Sequence, residues 1–126
     1  MAVPPFTLEF DEDAAGRKLV LDWLRDKVSI STRRVVGTAL REILQEQGMG
    51  VCGTAFGRQL GGGVFEFRQR EANLLLRAFC HAYGNKVVLL LAAYDKSEDP
   101  SAKRQHKEIE LARRRLTDWQ QRRQRS

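Results

Sequence analysis

Three runs between Gly63 and Ala93 constrain this chain more than any other feature, because each fits a strand and two of them sort charge from apolar residues. In the first run, strict alternation sends Phe65 and Phe67 to one side and Glu66, Arg68 and Arg70 to the other, the period-two signature of a strand with one apolar face. In the second, Leu74, Leu76, Ala78 and Cys80 share one side, and Leu75, Arg77, Phe79 and His81 share the opposite one. The third, Val87 to Ala93, is apolar throughout, which suits a central strand or a short buried helix; Val87, Val88 and the nearby turn favour the strand. Gln69 to Asn73 and Tyr83-Gly84-Asn85 supply short turns between the runs. The simplest product is an antiparallel three-stranded meander with one face covered and one open, the open face bringing Arg68 and Arg77 together across the first hairpin.

The flanking segments supply the cover. Phe6 to Phe10 alternates and reads as an opening strand after Pro4-Pro5, and Asp11 to Asp13 offer N-caps for a helix carrying Leu19, Val20, Trp23, Leu24 and Val28. Ser31 is placed to cap a second helix with Val35, Val36, Ala39, Leu40, Ile43 and Leu44 on one side, and Gly48 to stop it. Gly48 to Gly63 is glycine-dense without the GxxxxGK[ST] pattern of a phosphate loop, so it reads as a flexible connection. Arg58 lies within it, where a cation can reach a phosphate laid across the open face. After Pro100, the spacing of Ile109, Ala112, Leu116 and Trp119 marks one side of a last helix, with Trp119 as a packing residue. The expected fold class is α+β, two N-terminal helices and a C-terminal helix around a small, mainly antiparallel sheet. Residues 1–119 form a single domain, and residues 120–126 a basic, frayed tail.

Charge is unevenly placed. The net charge of +6 divides into 7 Lys and Arg against 8 Asp and Glu in residues 1–50, 6 against 5 in 51–100, and 9 against 3 in 101–126. A basic concentration of this kind favours polyanionic partners through counterion release, although a solvated helix face has the same composition. Cys52 and Cys80 are the only cysteines and form no CxxC pair, so neither a structural disulfide nor a zinc site is expected, and the setting is a reducing cytoplasm. The start lacks the basic and apolar regions of a secretory signal, and Val87 to Ala93 is too short to span a bilayer.

The element order, together with Gly63-Val64-Phe65-Glu66-Phe67-Arg68, then Leu76-Arg77, then the run from Val87 to Tyr94-Asp95-Lys96 and Pro100, resembles the RelE/HigB toxin superfamily, in particular its HigB-like, phage-derived branch. The motif-bearing part of the resemblance covers residues 58 to 118. It implies a RelE-like fold and a type II toxin that enters the ribosomal A site, cleaves mRNA by attack of a 2′-OH on the adjacent phosphate, and is neutralised by a cognate antitoxin encoded by an adjacent gene. Arg68, Arg77 and Lys96 match the family's basic catalytic positions, and Tyr94 the aromatic before its lysines. The chain departs from the pattern at Asp95, where the family has the first lysine of a pair, and it has no clear counterpart of the late His or Tyr of some members.

Such chemistry needs no metal and no cofactor, because the nucleophile belongs to the substrate and the protein supplies position and charge. Arg68 and Arg77 suit it because a guanidinium stays charged and can hold two oxygens. Lys96 fits either a general acid or a phosphate-positioning cation, and Glu66 either a proton acceptor or a support for Arg68. Arg58, Arg70, His81 and Tyr94 complete the expected RNA-binding set, Tyr94 as a base platform. The alternative reading is a non-catalytic module of phage origin that binds the ribosome, RNA or a protein through the same surface. A DNA-binding role ranks lower, since the charge does not gather on a helix-turn-helix pair.

Overall fold

A computed structural model describes residues 5–71, 73–84 and 86–125. Alternation along the chain is realised in five strands, β1 (Thr7–Phe10), β2 (Gly57–Gly61), β3 (Val64–Glu71), β4 (Leu74–Tyr83) and β5 (Val87–Asp95). Helices α1 (Leu19–Lys27) and α2 (Ile30–Ala39) come before β2, and α3 (Ala102–Arg125) ends the chain. The backbone runs on from α2 through a π-helical stretch, Leu40–Leu44, and a last α-helical turn, Gln45–Gln47.

This architecture corrects the expected one. The sheet is a mixed five-stranded one in the order β1-β5-β4-β3-β2, with β1 parallel to β5 and the other pairs antiparallel. Its extra strand, β2, comes from the glycine-dense segment read as a flexible connection. Gly57 shows why glycine belongs there: a Cβ at this position would lie 2.6 Å from the Glu66 carbonyl oxygen and 2.8 Å from Val51 Cγ2. The sheet also has no wholly open face. Phe65, Phe67, Leu76, Cys80 and Leu90 pack against α1 and α2, while Val64, Phe79, Leu89 and Leu91 pack against Ala112 and Leu116 of α3. Each such fully buried side chain contributes about 1.5–3 kcal/mol, so two covered faces are the lower-energy solution.

Two cap assignments also change. Ser29, not Ser31, caps α2, its Oγ accepting the Thr32 N–H at 3.3 Å. Asp13 closes a turn instead of starting a helix: its Oδ1 accepts the backbone N–H groups of Ala15 and Arg17, each at 2.9 Å, and α1 begins without a side-chain cap. Residues 120–125 of the segment expected to fray lie within α3, with Arg122 donating to the Glu12 carbonyl at 2.8 Å. Asn85 of the second turn, Ser126 of the tail and Pro4 of the opening Pro-Pro pair lie outside the described residues.

One irregularity in β5 decides which side chains meet. Phe79 pairs with Ala92 but Cys80 pairs with Leu90, so Leu91 is an extra residue opposite β4. An inserted residue reverses alternation beyond it. Val88 and Leu90 therefore face α1 and α2, whereas Leu89, Leu91, Ala92 and Tyr94 all face α3. The Leu91 carbonyl accepts a hydrogen bond from Arg115 Nη1 of α3 at 2.8 Å. Replacing Arg115 with Ala removes this partner from a buried carbonyl, and urea denaturation should register a loss of roughly 1–3 kcal/mol; an unchanged midpoint would show that the bond carries no stability.

Candidate anion-binding site

Sheet register assembles the site at the end of β3 and β4 nearest the β3–β4 turn. Arg68 lies directly opposite Arg77, Arg77 directly opposite Tyr94, and Arg58 on β2 opposite Glu66. The two arginines expected to meet across the first hairpin do so, and a third joins them from β2. At their centre is Glu66, whose side chain is 0% exposed. Arg58 Nε and Arg68 Nε both donate to its Oε2, at 2.8 and 2.9 Å, and Arg77 Nε stands 3.7 Å from Oε1. A buried carboxylate needs such partners.

The cations differ in how much of them remains available. Arg77 is the most enclosed, at 16% exposure; burial lowers its affinity for a proton while Glu66 opposes that, and a guanidinium stays charged in either case. Arg68 and Arg58 keep 36% and 46% of their side chains accessible, so each presents its outer N–H groups to solvent while its Nε is held. Arg68, Arg70 and Arg77 line a shallow hollow of about 350 Å³ with Ala55, Phe56, Gln69 and Leu75.

The other expected residues take different places. Tyr94 is buried beside Arg77, so it offers no face for a base; the Arg104 guanidinium of α3 covers its ring at 5.0 Å from the centroid. Burial raises the Tyr94 phenol above its ordinary range, with Arg77 opposing, which keeps it neutral. Lys96 donates to Gln105 Oε1 at 3.1 Å, and its backbone N–H pairs with the Leu75 carbonyl. His81 lies four residues from Arg77 along β4, about 13 Å away at ordinary strand rise. Its Nδ1 is 2.7 Å from the Gly63 carbonyl and its ring packs edge-on against Trp119, so it belongs to a separate aromatic cluster. Asp95, the departure from the lysine pair, accepts the N–H groups of Leu75 and Ser97 and the Ser97 hydroxyl, and so fixes the end of the hairpin.

Sequence reasoning missed Phe56 and Arg104. Phe56 was hidden in the glycine-dense segment, and nothing in the spacing of α3 singles out Arg104 from its neighbours. Two buried oxygens at this site, Glu66 Oε1 and the Tyr94 hydroxyl, have no hydrogen-bond partner among the described residues. Among those residues there is also no group of three or more His, Cys, Asp or Glu side chains able to hold a metal, and no helix long and apolar enough to cross a membrane.

A small mixed sheet between two helical layers, with guanidinium groups gathered around a buried carboxylate at one end, defines a mixed-sheet protein with a cationic hollow. The chain belongs to the family described as phage-derived protein Gp49-like (DUF891), whose model matches residues 22–117, a family of RelE- and toxin-like proteins. A comparison with curated proteins finds no match. The matched span includes all of the residues around Glu66.

If Glu66 organises the guanidiniums, Glu66→Gln should lower stability by roughly 1–3 kcal/mol, as expected for losing hydrogen bonds to charged groups. Gly57→Ala should cost about 1–3 kcal/mol by forcing β2 away from β3. Both are read from denaturant midpoints, and a neutral Glu66→Gln would show that the arginines hold their positions without the carboxylate.

Proposed function

We propose that this protein is a toxin-like endoribonuclease of the RelE/HigB type. It acts in the cytoplasm on mRNA in the ribosomal A site and is held inactive by a cognate antitoxin from an adjacent gene. The observation that carries this reading is the convergence of Arg58, Arg68 and Arg77 on Glu66 beside an open hollow. Family membership supports the toxin class.

In this mechanism the RNA backbone lies in the hollow with one phosphate on the outer N–H groups of Arg68 and Arg77. Holding the 2′-OH in line with that phosphate lowers the barrier by up to about 7–11 kcal/mol in favourable intramolecular cases. As the 2′-oxygen bonds to phosphorus, its proton passing to water, and the 5′-oxygen departs, taking a proton from water, negative charge grows on the equatorial oxygens. Each cation already in place is worth roughly 3–4 kcal/mol there. Glu66 is a positioning residue, because its carboxylate is enclosed and occupied by guanidinium groups. Lys96 and Arg104 border the same end of the sheet through Gln105 and Tyr94, and add positive potential.

Arg68→Ala and Arg77→Ala should each lower RNA cleavage by about 10²- to 10³-fold, with the folded state retained. Primer extension after induction reads this as loss of new 5′ ends in mRNA, and growth arrest should be relieved by co-expression of the neighbouring gene. Translation block without new 5′ ends in the parent would reassign the protein as a non-catalytic binder. Cleavage undiminished in both variants would remove the site assignment.

A further inference from the structure

The hollow beside the arginines contains an aromatic ring that the phosphate chemistry does not use. Phe56 is one of three large hydrophobic side chains exposed among the described residues, at 37%, and the only one of them that lines this hollow. An isolated exposed phenylalanine is ordinary. This one is fixed next to a cation: the Arg68 backbone N–H donates to the Phe56 carbonyl at 2.7 Å, which anchors the loop residue to the strand carrying the catalytic candidate. The loop is further held by Thr54, whose hydroxyl donates to the Val51 carbonyl at 2.6 Å and accepts the Phe56 N–H at 3.1 Å. The ring is therefore mounted on a braced turn.

We infer that Phe56 is the base platform of this site: a nucleobase stacks on its ring while the phosphate of the same or the adjoining nucleotide rests on Arg68 and Arg77. The ligand class is single-stranded RNA with an unstacked base, and the inference rests on the reading of the hollow as an RNA site. Aromatic rings stack any base, whereas arginines read only charge, so the two contributions separate by ligand. Tyr94, the aromatic expected in this role, is enclosed under Arg104 and leaves the position to Phe56.

The test uses the full chain and two dye-labelled oligonucleotides of equal length, one an oligoadenylate and one lacking bases, with affinity followed by fluorescence anisotropy over a salt series. Phe56→Ala should weaken oligoadenylate binding by about 5- to 150-fold, the range of one lost stacking contact, and leave the abasic strand unchanged; Phe56→Trp should restore the affinity. Arg68→Ala should weaken both ligands and reduce the salt slope by about 0.7. If Phe56→Ala changes neither ligand, or both equally, while Arg68→Ala still weakens both, the platform is refuted and the RNA site stands. If Arg68→Ala changes neither ligand, or the parent binds neither, the RNA site falls and the platform with it. Thermal melting of each variant shows whether the fold is intact.

Discussion

The site depends on one enclosed carboxylate. Two unit charges one strand spacing apart, near 5 Å, repel by roughly 3 kcal/mol at an effective dielectric of about 20. Bare arginines facing each other on β3 and β4 would therefore splay toward solvent. Glu66, fully buried, takes the Nε of Arg58 and Arg68 and stands close to that of Arg77, so the two arginines that line the hollow, Arg68 and Arg77, are held in a fixed arrangement. Removing a carboxylate from water is costly; three guanidiniums offset that cost here, and the group as a whole keeps a positive excess. Structure and binding potential are thus one interaction.

Much of this was legible in the sequence. Strict alternation from Val64 to Arg70 and from Leu74 to His81 placed Arg68 and Arg77 on one face across a short turn, while their direct register was seen only in the folded sheet. The helical spacing of Ile109, Ala112, Leu116 and Trp119 marked the side of α3 that packs on the sheet. Other parts were hidden for physical reasons. Glycine normally weakens a strand, so β2 was unreadable until Gly57 was seen to lie against the Glu66 carbonyl and Val51. The parallel pairing of β1 with β5 joins segments far apart in the chain, which local patterns do not encode. Side-chain burial was likewise misjudged at Tyr94, because parity gives the face of a strand but not what a distant helix lays over it.

The position of α3 explains how the second face of the sheet is closed. Its apolar residues cover Phe79, Leu89 and Leu91, and its arginines reach backbone carbonyls on three sides: Arg113 to Leu60 and Gly61, Arg115 to Leu91, and Arg122 to Glu12. Much of the C-terminal charge excess that suggests a polyanion partner is thus spent on holding the helix in place. The cations that line the hollow come instead from β3 and β4, in a stretch where charge is nearly balanced. The C-terminal concentration of charge therefore does not coincide with the hollow.

The inserted Leu91 has an implication for comparing this chain with its relatives. Because the strand changes handedness of exposure at that point, the separation between Val88 and the aromatic Tyr94 is not interchangeable with one a residue shorter. A homologous strand lacking the insertion must carry its aromatic one position earlier to bring it against the arginine of the neighbouring strand. Alignments that slide the aromatics into one column without opening a gap will pair residues from opposite sides of the sheet.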